Sequence, residues 1–151
     1  MIKINPDTII ENRFLGIPFK YGGKDFKGAD CVGTCILWLR SHGFDYKYDD
    51  GKGKVLEHWF ESAPSRFVDA VNKYGRLIHF HDLRKFDIIL FFAHASVTRF
   101  PTGMGVMVDD RHYLSNELGK MSFVRMLDKD ARAICFGGLR LHKVDIMERR
   151  K

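Results

Sequence analysis

The chain has 151 residues, which suits one domain, and 45% of them are hydrophobic, so an intrinsically disordered chain is excluded. The net charge of +6 is spread along the sequence, and no nucleic-acid-binding motif accompanies it. No apolar run approaches the roughly 20 residues that a membrane span needs, and the first residues lack the apolar stretch of a signal peptide. We therefore expect a basic globular protein without a membrane span, a signal peptide or a specific nucleic-acid partner.

The first half of the chain is predicted to be helical. Asn5-Pro6-Asp7 resembles a helix N-cap followed by proline, which predicts a first helix that ends near Leu15, before Gly16. A glycine-rich loop follows up to Gly28. An apolar stripe at helical spacing then predicts a helix over 30–42, closed by Gly43. Residues 44–54 are predicted to form a polar loop, and 55–62 and 65–75 to form helices.

The second half changes to the pattern of β-strands. Short segments rich in β-branched and aromatic residues predict strands within 76–82, 86–93, 104–109, 112–117, 121–127 and 133–142. The run DIILFF is almost continuously apolar, which is typical of a strand buried on both faces. Asp109-Asp110 marks a tight hairpin. Helices followed by strands indicate one α+β domain over 1–143, with an antiparallel sheet and a basic tail over 144–151.

The cysteine count argues against a disulfide framework or a zinc site. Cys31, Cys35 and Cys135 are an odd number, and no further metal ligands follow at suitable spacing. We predict that Cys35 and Cys135 are small buried residues, and that the protein holds neither a metal nor a cofactor. Cys31 differs, because it stands where a helix begins, and a helix N-terminus stabilises a thiolate.

The sequence around this cysteine resembles the opening block of the NlpC/P60 cysteine peptidases, which are papain-like peptidoglycan hydrolases. Their pattern reads roughly G-x-P-Y-x-x-G-G, a short loop and D-C-S-G, and FLGIPFKYGGKDFKGADCVG matches it at seven positions: Gly16, Pro18, Gly22, Gly23, Asp30, Cys31 and Gly33. Later blocks follow in the family's order. Asp87 stands at the Asp of its P-G-D strand, TGMGVMVDDRHYLSN resembles its H-V-G-I hairpin, and ARAICFGGLRL is similar to the closing strand of phage-tail members. The resemblance implies an NlpC/P60 fold, with helices packed on a sheet of five or six strands.

The departures from the family pattern fall on the catalytic positions. The family tyrosine that helps to position the oxyanion is replaced here by Phe19, and Val32 replaces the small residue after the cysteine. The register places Gly103 at the family's catalytic histidine and Ser115 at its third polar position. Cys31 therefore keeps the nucleophile position without the usual base, and loss of a general base costs about 10²–10⁴-fold in rate.

Another histidine could replace the missing base. His94 follows a predicted strand end and precedes the hairpin, so it is the best candidate for a displaced base. His112 should point to the opposite sheet face from Ser115. His79 and His81 could form a metal pair but also suit an edge strand, and His42 and His58 suit packing or solvated positions on helices.

The sequence is compatible with two functions. The first is a structural or cell-wall-binding component with a decayed hydrolase site, of the kind found in phage tail tips. The second is an active peptidoglycan endopeptidase or amidase that uses Cys31 with a displaced histidine. The resemblance to the small phage-tail members implies other tail proteins as partners, with peptidoglycan as a further candidate. It also implies a location in the virion tail, or in the host cytoplasm before assembly.

Overall fold

The structure is a computed structural model that describes residues 1–46, 48, 65–92 and 100–142. The elements are, in chain order, β1 (Ile2–Asn5), β2 (Thr8–Ile10), β3 (Lys24–Asp25), β4 (Gly28–Ala29), α1 (Cys31–Ser41), α2 (Arg66–Tyr74), β5 (Gly75–Ile78), β6 (Ile88–Phe91), β7 (Gly103–Met107), β8 (His112–Ser115), β9 (Phe123–Met126), α3 (Lys129–Ala133) and β10 (Cys135–Leu141). The predicted helix over 55–62 and the basic tail over 144–151 lie outside the described residues.

A six-stranded antiparallel sheet forms the centre of the molecule. Its strand order is β5-β10-β6-β7-β8-β9, and every neighbouring pair is antiparallel. Helix α1 packs against β7 and β8, while α2 packs against β5 and β10. These contacts confirm the predicted α+β class, with helices on an antiparallel sheet.

Strand β6 is buried on both faces, as its continuous apolar sequence predicts. Ile88 and Leu90 belong to the main core, which also contains Trp38 and Leu39 of α1. Ile89 and Phe91 point into a second core on the opposite face. Both faces of the sheet are therefore covered at β6, and none of the side chains of this strand faces solvent.

The predicted first helix is wrong. Strands β1 and β2 form a hairpin instead, in which Ile2 pairs with Ile10 and Lys3 with Ile9, and a single 3₁₀ turn follows at Asn12–Phe14. The β-branched residues here favour extended backbone, and Asn5-Pro6-Asp7 serves as a turn between two strands rather than as a helix cap. In β2, Thr8 and Ile10 are buried and Ile9 is exposed, which is the period of a strand.

Two other regions also differ from expectation. The described part of the predicted polar loop contains buried aromatic side chains at Phe44, Tyr46 and Tyr48, and the Tyr46 ring lies 5.5 Å from the Tyr74 ring of α2. These three side chains belong to the main core, so this part of the predicted loop is not a solvated segment. The strand predicted over 76–82 stops at Ile78, and a 3₁₀ turn occupies Phe80–Asp82.

A buried ion pair joins β10 to the start of β6. Arg140 donates from Nε to Oδ1 of Asp87 at 3.0 Å and from Nη2 to Oδ2 at 2.8 Å. The same guanidinium reaches the carbonyl oxygen of Asp82, and Arg84 N–H donates to Asp87. Asp87 is only 3% exposed, so this two-point contact fixes the end of the sheet that lies away from Cys31.

Among the described residues, no helix is long and apolar enough to span a membrane. Cys35 is fully buried in the main core, as predicted, whereas Cys135 is only half-buried.

Candidate active site

Cys31 is the first residue of α1, where the glycine-rich loop meets the helix. Asp30 caps the helix through Oδ1, which accepts the Gly33 N–H at 2.7 Å, while Oδ2 accepts the Gly22 N–H at 2.9 Å. A Cβ at Gly33 would lie 2.0 Å from the carbonyl oxygen of Gly23, so only glycine lets the loop pack this closely against the helix. The predicted helix and the position of its cysteine are therefore confirmed.

The surroundings of Cys31 keep its thiol protonated. Burial, and to a smaller extent the neighbouring Asp30 carboxylate, together raise the pKa of Cys31 to about 12. The backbone N–H groups of Met104 and Val32 act in the opposite direction, but they do not overcome the desolvation of the thiolate. The first turn of a helix is thus insufficient here to activate the sulfur.

The structure brings the predicted site positions together in one cleft. Cys31, Phe19, Gly103 and Ser115 all line a cavity of about 710 Å³ between the loop, α1 and the ends of β7 and β8. Strands β7 and β8 are paired so that Gly105 lies opposite Ser115. The register expected from the hairpin therefore places Gly103 and Ser115 beside the cysteine.

Neither of these two positions supplies a base. Gly103 has no side chain, and Ser115 is 4% exposed and donates its hydroxyl to the Met104 carbonyl oxygen at 2.6 Å. A serine hydroxyl is too weak a base to take the proton of a thiol. The hydroxyl instead links β8 to β7 beside Cys31.

Phe19 packs edge-on against Tyr21, with ring centroids 4.9 Å apart, and both rings line the cleft. Sequence reasoning missed Tyr21, although it is the next aromatic residue after the substituted family position. It also missed Asn116, which directly follows Ser115 and is 2% exposed. The sequence carried no signal for this residue, because Asn116 lies within the strand predicted over 112–117 and its burial is seen only in the structure.

No histidine lines the cleft within the part of the chain that the structure describes. His112 lies at the far end of β8 from Ser115, where its Nδ1 is 3.1 Å from the Asp109 carboxylate. The His42 ring packs 4.2 Å from Trp38, as predicted for a packing residue. His94, the candidate displaced base, and His58 lie outside the described residues.

The two histidines that could have formed a metal pair are not part of a larger ligand cluster among the described residues. The rings of His79 and His81 are 4.9 Å apart, and His81 N–H donates to Nδ1 of His79. Within the described ranges, no group of three or more His, Cys, Asp or Glu side chains could hold a metal ion. The two rings form a local contact in a 3₁₀ turn.

Comparison with known proteins gives matches at the level of structure. The sequence matches no family model, and no curated protein matches it. The crystal structure of the NlpC/p60 domain of the peptidoglycan hydrolase SagA matches with a TM-score of 0.54 and 17% identity, over 85% of this chain and 91% of that one. An NlpC/P60 family protein from Bacillus cereus matches with a TM-score of 0.58 and 21% identity, over 85% of this chain.

The present chain spans 36% of the Bacillus cereus protein, so it corresponds to only a part of that molecule. Identities of 17% and 21% establish a shared architecture rather than a shared activity. Both structural matches agree with the architecture described above, in which a helix begins at Cys31 and packs on an antiparallel sheet. This chain has the NlpC/P60 fold.

Proposed function

We propose that this protein is a structural or cell-wall-binding component with an NlpC/P60 fold and a decayed hydrolase site, of the type found in phage tail tips. The proposal depends above all on two properties of Cys31, the pKa of its thiol and the groups that surround it. Its pKa is raised to about 12, and no imidazole lines its cleft within the described residues. A cysteine hydrolase needs a base and oxyanion donors around its thiolate.

Three coincident substitutions support the same conclusion. Phe19 lacks the hydroxyl of the family tyrosine, Gly103 lacks an imidazole, and the Ser115 hydroxyl is bonded to the backbone. Each missing group removes a separate contribution to catalysis. The surrounding fold is nevertheless retained, with the capped helix and the paired β7–β8 hairpin in place.

The tail-tip assignment rests on the resemblance of the closing-strand sequence to that of phage-tail members. A retained fold with a decayed site suits a protein used for its shape and surface rather than for turnover. Other tail proteins are then the expected partners, and the virion tail is the expected location.

The proposal is tested by replacing Cys31 with alanine in the virus that encodes the protein. We expect particle assembly and infectivity to stay within about twofold of wild type, because alanine suits a helix start and leaves a small cavity. Gly33→Val serves as the control that disrupts the loop–helix contact and should lower assembly. A loss of infectivity in Cys31→Ala, with assembly intact, would contradict the proposal and would direct attention to His94 as the base.

A further inference from the structure

We draw no further inference here: the strongest candidate, the exposed apolar rim that Leu118 and Met126 give to the Cys31 cleft, carries none because nothing among the described residues shows what covers it.

Discussion

The thiol of Cys31 is subject to two opposing effects. The start of α1 and the N–H groups of Met104 and Val32 favour the thiolate, while burial and the Asp30 carboxylate disfavour it. Burial is the larger effect, so the folded pKa lies near 12 rather than at the ordinary value of 9.0. Such a shift reduces the thiolate population at neutral pH by about a thousandfold.

The rate at which Cys31 is alkylated at different pH values measures its thiolate population directly. We predict that iodoacetamide modifies Cys31 slowly at pH 8, about a hundredfold or more below its rate in the unfolded protein, and that the rate keeps rising beyond pH 9. Peptide mapping by mass spectrometry separates Cys31 from Cys35 and Cys135, and the urea-unfolded chain is the control. A Cys31 modification rate that reaches half its maximum below pH 8.5 would show an activated thiol.

The ion pair between Asp87 and Arg140 should contribute to the unfolding free energy of the protein. Asp87→Ala removes the carboxylate that pairs with the partly exposed Arg140 guanidinium and accepts the Arg84 N–H, so we expect a loss of roughly 2 kcal/mol of unfolding free energy. Urea denaturation measures it. Glu11→Gln is the control, because its pair with Arg13 is exposed and should change stability by less than about 0.5 kcal/mol. Equal losses in the two variants would contradict the assignment of Asp87–Arg140 as a structural contact.

The start of the helix at Cys31 was predicted from residue types, because a glycine-rich loop precedes an apolar stripe. The positions of Gly103 and Ser115 were predicted from the resemblance to the family's hairpin, and the pairing of β7 with β8 agrees with that register. The roles of Asn116 and Tyr21 could not be predicted, because they depend on contacts with residues distant in sequence. Asn116, for example, bonds to Ile17 and Ala29.

At the scale of elements, length and burial decide which predictions succeed. Helix α1 has eleven residues with a cap, a glycine stop and an apolar stripe, and all three signals agree. The N-terminal hairpin was mistaken for a helix because a single proline turn fits both structures. Helix α3 was missed because five residues are too few to show a helical period, although Asp128 caps it through the Ala131 N–H.

Gly33→Ala tests the contact between the loop and α1. Helix propensity alone would make alanine more stable by about 1 kcal/mol, but its Cβ would lie 2.0 Å from the Gly23 carbonyl oxygen. We therefore expect a net loss of about 2 kcal/mol or more in thermal or urea unfolding. Arg40→Ala, on the exposed end of the same helix, should stay within about 0.5 kcal/mol of wild type. A stabilised Gly33→Ala protein would disprove the close packing.

The β7–β8 hairpin should lose stability in acid. Burial acts to raise the pKa of Asp109, but hydrogen bonds from Arg111 and His112 outweigh it, and the net pKa is lowered below 3.8. A carboxyl group with a lowered folded pKa stabilises the protein above its unfolded pKa and loses that contribution as pH falls through the folded value. The difference in unfolding free energy between wild type and Asp109→Asn should therefore shrink from pH 5 to pH 3. A difference that grows over this range would contradict the assignment.

On the scale of the whole molecule, the strand order places the cleft. Because β6, β7 and β8 are adjacent, the end of β6, the start of β7 and the end of β8 meet beside the first turn of α1. Hydrophobic patterns predicted the strands and the α+β class, since each is a local signal. They could not predict the order β5-β10-β6-β7-β8-β9, in which β10 inserts between two strands that precede it in the chain. The resemblance to a known family predicted a sheet of five or six strands, and it predicted no strand order.

We propose that this fold is retained while the hydrolase chemistry is lost. Incubation of wild-type protein and Cys31→Ala with purified peptidoglycan, followed by mass spectrometry of the soluble fraction, tests it most directly. We predict that neither protein releases peptide fragments above the level of a buffer blank, because Cys31 has no base in its cleft within the described residues. Release by wild type that is abolished in Cys31→Ala would contradict the account and establish an active cysteine hydrolase.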